Sequence, residues 1–373
     1  MAGIYIHIPF CKQKCTYCDF HFSTTFAKYR NEMIAAIKTE IISRVNYLEG
    51  KKVETIYFGG GTPSLLMNAE LKSLMDSIYS NFIVSKGVEV TLEANPDDIT
   101  NENLLVWKAN GINRLSIGIQ SFKKSDLDWM NRAHTVNESF TSIQKAQKAG
   151  FENLTVDLIY GLPGLADDEW REHILKVTSF KVPHISAYNL TVEKGTVLNN
   201  WVEKKKIIPA DEDQQSSQFN ILLEVLEENK YIQYEISNFS KSGFESKHNS
   251  NYWKGEWYLG VGPSAHSFNG LTRRWNVSNN QKYIKDISKN SYFEIENLSS
   301  VDQFNELILT GLRTIYGVDL SVLSQICPIK EPFTNKVESF IVNKWLINTN
   351  GKLTLTKEGR LLADHIASEL FTT

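Results

Sequence analysis

Gly3-Ile4-Tyr5-Ile6-His7-Ile8-Pro9-Phe10-Cys11-Lys12-Gln13-Lys14-Cys15-Thr16-Tyr17-Cys18 is the stretch that decides the fold. Its first half alternates. Ile4, Ile6 and Ile8 share one side of an extended chain, and Tyr5 and His7 the other. Pro9 ends the run, and three cysteines follow within eight residues. A strand delivering reactive side chains onto the loop at its end is the arrangement of α/β barrels, whose chemistry sits at the C-terminal face. Further strand-like runs follow at Val53–Gly59, Val88–Asn95, Arg114–Ser121, Asn153–Gly161 and His184–Leu190. Helical patterns lie between them, including Ala27–Leu48, Ala69–Ser80, Val136–Ala149 and Asp167–Phe180. Six βα units in series predict an α/β fold with a parallel sheet and outer helices, curled by right-handed crossovers into a partial (β/α)6, TIM-like barrel.

The strands have two unlike faces. Val88, Val90 and Leu92 oppose Glu89, Thr91 and Glu93. Leu115, Ile117 and Ile119 oppose Ser116, Gly118 and Gln120. Leu154, Val156 and Leu158 oppose Thr155 and Asp157. A parallel strand buried on both faces is normally apolar throughout. An aliphatic face suits a helix layer. The polar face is costly to bury without partners, so it predicts a barrel interior that encloses a ligand.

Past residue 190 the pattern changes. A helix over Asp211–Lys230 leads into Tyr231–Phe239, and an irregular, aromatic segment from Ser240 to Trp275 follows. A helical region spans Val301–Tyr316. Asp319–Phe371 reads as two helices, a turn at Asn348–Gly351, a strand at Lys352–Leu355 and a last helix, a winged-helix-like order. The expected division is 1–240 for the barrel, 241–300 for the irregular aromatic segment and 301–373 for a smaller C-terminal α+β domain. Balanced charge makes that domain a packing module rather than a nucleic-acid reader.

The 373 residues are 42% hydrophobic and 22% charged, with a formal net charge of -3. Neither nucleic acid nor an acidic membrane surface is an expected partner. The basic run Lys204–Lys206 reads as a solvated helix end. No stretch is long and apolar enough to cross a bilayer, and the N-terminus lacks the basic and apolar regions of a signal peptide, so a cytoplasmic location is expected.

Clustered thiols in a reducing compartment point to metal rather than disulfides. Thiolates are the usual ligands of iron–sulfur clusters, and three on one tight loop can cap three irons of a [4Fe–4S] cubane, leaving the fourth open. Zinc is the rival. It takes four closed ligands, for which His7 or His21 would have to join Cys11, Cys15 and Cys18. No second cysteine pair exists. Cys327 stands alone and reads as a buried core thiol.

Cys-x3-Cys-x2-Cys with an aromatic, Tyr17, before the last cysteine resembles the radical S-adenosylmethionine (SAM) superfamily. The resemblance implies that SAM chelates the open iron through its amino and carboxylate groups and, on reduction, yields a 5′-deoxyadenosyl radical. It assigns Gly60, Gly61 and Thr62, within Gly59-Gly60-Gly61-Thr62-Pro63, to the methionyl end of SAM. Glu93 would accept hydrogen bonds from the SAM amino group or ribose. Arg132 would pair with its carboxylate. Asp157 would bind a ribose hydroxyl or the adenine side, and Tyr5, Tyr17 and Gln120 would complete the SAM site.

Several longer stretches, such as His7-Ile8-Pro9-Phe10-Cys11, Gly118-Ile119-Gln120-Ser121-Phe122, Asp157–Gly164 and Tyr234–Phe239, resemble the oxygen-independent coproporphyrinogen III dehydrogenase family, and within it the HemW-type heme chaperone branch. By resemblance the dehydrogenase carries a further cysteine two residues past the third ligand, where this chain has Phe20, and an N-terminal extension that this chain lacks. His248-Asn249-Ser250-Asn251-Tyr252-Trp253 fits the H-N-x-x-Y-W pattern of the chaperone branch. Heme is therefore an expected cofactor. His248 is the candidate axial ligand and His266 a weaker one, with Tyr252, Trp253 and Trp257 flanking the porphyrin. The alternative for His248 is a structural histidine that makes a hydrogen bond. The implied function is a heme chaperone passing heme to acceptor proteins, with respiratory proteins as candidates. The competing reading is oxidative decarboxylation of coproporphyrinogen III, or another radical reaction on a tetrapyrrole.

Overall fold

The computed structural model describes residues 1–372. Six strands, β1 (Ala2–Ile8), β2 (Val53–Gly60), β3 (Val84–Ala94), β4 (Arg114–Gln120), β5 (Asn153–Tyr160) and β6 (His184–Asn189), pair in parallel in chain order. Helices α1 (Arg30–Ser43), α2 (Asn68–Asn81), α3 (Asn101–Ala109), α4 (Lys124–Trp129), α5 (Val136–Lys148) and α6 (Asp167–Ser179) lie in the crossovers. This is the expected α/β arrangement. Caps set the helix starts locally: Thr135 Oγ1 accepts from Glu138 N while Glu138 returns a carboxylate oxygen to Thr135 N, satisfying two orphan donors of α5.

Ile4, Ile6, Ile8, Ile56, Phe58, Leu92, Leu115, Ile117 and Leu154 are wholly buried in the core. Each such side chain stabilises the fold by about 1.5–3 kcal/mol relative to exposure. The opposite face carries the half-buried positions Tyr5, Tyr57, Glu93, Gly118, Gln120 and Asp157. Tyr188 of β6, on the same face, is 43% exposed. The sheet is curled. Glu93 and Asp157 both act electrostatically on the phenols of Tyr57 in β2 and Tyr188 in β6, although three strands lie between them. The concave side encloses a polar space that opens at the strand C-termini.

The segment read as irregular is not irregular. It carries β9 (Trp257–Val261), β10 (His266–Phe268), β11 (Thr272–Asn276) and β12 (Phe293–Asn297). β9 pairs in parallel with β1, on the side away from β2, and the other three continue antiparallel to the sheet edge. At the other end α7 (Val197–Glu203) and α8 (Glu212–Glu228) precede β7 (Ile232–Glu235) and β8 (Asn238–Ser240), which pair antiparallel beyond β6. One open sheet of twelve strands results. Lys204–Lys206 are exposed just past α7, as a solvated helix end should be.

A buried carboxylate ties this late segment to α1. Glu40, 0% exposed, accepts from Arg44 Nη1 (3.2 Å), Asn276 Nδ2 (2.9 and 3.0 Å), the Gly262 amide (2.9 Å) and Tyr283 OH (2.6 Å) of α10 (Asn280–Asp286). Gly262, at φ +100°, is needed here. A Cβ at this position would lie 2.4 Å from the carbonyl oxygen of His7.

The C-terminal unit has its own core around Phe304, Ile308, Leu323, Val337, Leu353 and Ile366. It comprises α11 (Ser300–Leu312), β13 (Val318–Asp319), α12 (Leu320–Ile326), α13 (Glu331–Val342), β14 (Leu346–Thr349), β15 (Lys352–Leu355), α14 (Lys357–Arg360) and α15 (Ala363–Glu369), with strand order β13-β15-β14. The hairpin turn at Asn350-Gly351 has both residues at positive φ, the pairing a tight two-residue turn demands. The expected winged-helix-like order is present, with β14 as a strand the sequence reading passed over. Cys327 is half-buried at the end of α12, not fully buried as expected.

Candidate functional site

The cysteine loop leaves β1 at Pro9 and is pinned from several sides. Cys11 N donates to Ser23 O (3.1 Å), and Ser23 N to Pro9 O (2.9 Å). Thr16 N donates to Met130 O (3.2 Å), Leu198 N of α7 to Thr16 O (2.8 Å), and Asn131 Nδ2 to Lys14 O (2.9 Å). Lys12 pairs with Asp97 (2.6 Å) and Asp98. The loop is thus ordered by its neighbours, with three free, half-buried thiols. Burial pushes the Cys11 thiol up to about 12 and that of Cys18 to about 11. Thiols so held stay protonated until a cation arrives.

Thr62 Oγ1 donates to Cys11 Sγ (3.4 Å) and Arg132 Nη1 to Cys15 Sγ (3.5 Å). Arg132 Nη2 donates to Asn95 Oδ1 and to Gly118 O, both at 2.8 Å, while its Nε is buried without a partner. A buried donor left unpaired beside a cavity is a point where a ligand acceptor fits. Burial raises the Tyr17 phenol pKa, with the Arg132 charge opposing the rise.

The glycine turn after β2 presses on the same loop. Gly61 N donates to Ile8 O (2.9 Å), Thr62 N to Phe10 O (2.6 Å) and Gly60 N to Glu93 Oε2 (3.2 Å). All three amides are used, so a ligand at this turn meets carbonyl oxygens. Gly60, at φ +104°, could not carry a side chain, because its Cβ would lie 2.5 Å from the His7 ring.

Deeper in the cavity Glu93 accepts from Tyr57 OH (2.8 Å). Burial lifts its carboxyl to about 7, with the charge of Asp157 adding to the rise. Asp157 accepts from Ser116 Oγ (3.1 Å), and burial lifts it to about 6. Gln120 sits at φ +67° where the β4–β5 register shifts, a bulge that re-aims its side chain at the strand end. Tyr5 stacks on Tyr57 with ring centres 6.1 Å apart. The structure therefore brings Tyr5, Glu93, Gln120, Arg132 and Asp157 to one cavity face below the loop of Cys11, Cys15, Cys18 and Tyr17, with Gly60–Thr62 on its rim. Tyr57 and Tyr188 belong to the same lining and were missed. The period-two alternation that marked Glu93 also marks Tyr57, between Thr55 and Gly59.

His248 lies elsewhere. It is on α9 (Lys247–Trp253), 2% exposed, against the N-terminal ends of β1 and β2. Its Nδ1 is bonded to Thr55 Oγ1 (2.8 Å) and its Nε2 to Tyr252 OH (2.9 Å), and its ring stacks on Tyr57 at 4.9 Å. Burial lowers its pKa to about 3, so it is neutral. α9 floors the cavity, and both ring nitrogens of His248 are engaged in that floor. His266 is exposed on β10, stacked on Trp275 at 6.2 Å.

Among the described residues, no three His, Cys, Asp or Glu side chains converge as one ion would require. Thiolates that cap separate irons of a cubane have no need to converge, so the donor set fits a cluster better than a mononuclear site. No helix of the described chain is long and apolar enough to cross a membrane.

Comparison with known proteins agrees with this geometry. The radical SAM superfamily pattern matches residues 5–177. The chain is 34% identical to the heme chaperone HemW of Bacillus subtilis, over 98% of both chains. It is 31% identical to the heme chaperone HemW of Mycobacterium tuberculosis H37Rv, over 99% of this chain and 94% of that one. The solved structure of coproporphyrinogen III oxidase (HemN) from Escherichia coli, a radical SAM enzyme, superposes with a TM-score of 0.86, covering 100% of this chain and 90% of that one. At 22% identity that likeness establishes the fold alone. Sustained identity from end to end, on a radical SAM scaffold with its three thiols free, places this chain in the heme chaperone HemW family of the radical SAM superfamily.

Proposed function

We propose that this protein binds heme in the cytoplasm and passes it to acceptor proteins, respiratory ones among them, while holding a [4Fe–4S] cluster and SAM. The observation that carries this is the similarity to heme chaperones over nearly the whole of both chains. In this reading Cys11, Cys15 and Cys18 hold three irons, and SAM occupies the cavity beneath. Bound there, the cluster supplies an open coordination position and an electron donor. The carbonyl rim at Gly60–Thr62 accepts from the SAM amino group, and the unpaired Arg132 Nε meets its carboxylate. Glu93 and Asp157 face the ribose and adenine. Titration of the anaerobically reconstituted protein with hemin is expected to give a saturable Soret shift at about one heme per chain. Absence of specific binding would defeat the proposal.

Glu93 adds a pH test. Its folded carboxyl titrates near 7, above the ordinary value of 4.5. Without ligand, the raised value favours the fold below about pH 4.5 and that contribution is lost as pH rises through 7. A cationic ligand reverses the preference, because it stabilises the ionised carboxylate. SAM affinity is therefore expected to rise between pH 6 and 7 and level off above, with proton uptake by buffer seen calorimetrically below 7. Glu93→Gln should flatten the profile. An equal slope in that variant would remove Glu93 from the site.

A further inference from the structure

Beside the cysteine loop, outside the polar cavity, lies a groove of about 530 Å³. One wall is the loop itself, with Lys14, Cys18 and Phe20. A second is the loop after β6, with Lys194. A third is the turn after β9, with Ser264. These walls are fastened to one another. Leu198 N bonds Thr16 O across the first pair, His21 Nε2 bonds Asn280 Oδ1 (2.7 Å) of α10, and the nearby lining residue Ser278 bonds Ser264 of the third wall through its hydroxyl (3.3 Å). The groove is a standing feature, and its volume lies in the range of small-molecule sites.

Its chemistry is uneven in an informative way. Phe20 is 68% exposed, with its ring in water at the groove wall. Leaving a benzyl group in water forgoes the stabilisation that its burial would bring. Lys12, two residues from Lys14 on the same loop, is held by Asp97 and Asp98, yet among the described residues neither Lys14 nor Lys194 makes an ion pair. Asp19 is the one carboxylate in the lining. Two ammonium groups outside any ion pair, on different walls, and an exposed aromatic ring line the same groove.

We propose that this groove seats a planar apolar macrocycle bearing two carboxylates, the heme of the proposed function, with its face on Phe20 and its carboxylates toward Lys14 and Lys194. The inference rests on that function and assigns it a place. The floor residue His248 is an unsuitable entry point, since a ligand reaching it would have to displace Tyr252 or Thr55 from a buried ring. The groove needs no such opening. Cys18 forms part of both its wall and the cluster loop, so the seated cargo lies next to the cluster rather than in the SAM cavity.

The test uses the full, cluster-reconstituted chain and hemin. The double variant Lys14→Glu/Lys194→Glu, and separately Phe20→Asp, are expected to bind hemin at least about tenfold more weakly, with iron and sulfide content unchanged. Hemin dimethyl ester, which lacks the two charges, should bind the unaltered protein with a similar loss. Saturable hemin binding that is the same in both variants, or the same for the ester, overturns the groove while leaving the function standing. If the unaltered protein binds no hemin, the function falls and the groove with it.

Discussion

Cys18→Ser protein, purified and reconstituted without oxygen, is expected to lose the cluster: iron should fall from about four per chain to background and the visible sulfur-to-iron absorption should vanish. The reason is both chemical and positional. A serine hydroxyl is a poor ligand for iron in a sulfide cubane, and the loop offers no substitute. The nearby imidazole of His21 is bonded to Asn280, and Cys327 lies in the C-terminal unit. The fold should survive, because Cys18 is half-buried on a loop held by Ser23, Met130, Asn131 and Leu198 rather than by the thiol. Far-ultraviolet dichroism and the melting temperature should therefore match those of the unaltered chain. Iron and sulfide at unaltered levels in this variant would remove Cys18 from the ligand set. The high thiol pKa values carry a corollary. Iron must displace protons from Cys11 and Cys18, so reconstitution should be more complete as pH rises toward 9.

Glu40→Ala should damage the fold more than any change at the site. Removing the carboxylate leaves Arg44, the Gly262 amide and Tyr283 OH facing a void in a dry interior. Breaking a buried charged network in this way costs about 3–5 kcal/mol. For a chain of this size that is a drop of roughly 5 °C in melting temperature. The loss should begin at the β9–β11 segment, so amide exchange there should accelerate before exchange in β3–β5. Glu40→Gln keeps the volume and some hydrogen bonds and should fall between. A melting temperature within two degrees of the unaltered chain, for the alanine variant, would show that the network is not what holds the segment.

The reach of the sequence follows from how local each signal is. The six parallel strands, their polar faces and the cysteine loop are written in alternation and spacing within ten residues, and all were legible. Glu93 and Asp157 could be put on the polar face for the same reason, whereas Arg132, outside the strands, was named only through the resemblance. β9 could not. It is five residues long, begins with Trp257-Tyr258 and ends in a glycine turn, and its partner is β1 at the other end of the chain. Pairing between such distant segments leaves no periodic mark. His248 shows a similar limit. A histidine in an aromatic motif looks like a ligand until its two nitrogens are found bonded to Thr55 and Tyr252, one nearly two hundred positions earlier. Tyr57 was within reach and was overlooked because the faces of β2 were not sorted.

The position of β9 also has a consequence for how the chain is made. β1 is made roughly 250 residues before β9, and β2 can cover one of its edges early. The other edge, beside Ile4, Ile6 and Ile8, stays open until residues 257–261 have been synthesised. At the usual pace of translation that is on the order of ten to fifty seconds. During that interval the nascent protein displays an unpaired, isoleucine-rich strand end, the kind of surface on which chains aggregate. Newly made protein should accordingly depend on holding chaperones until residues 257–261 have emerged.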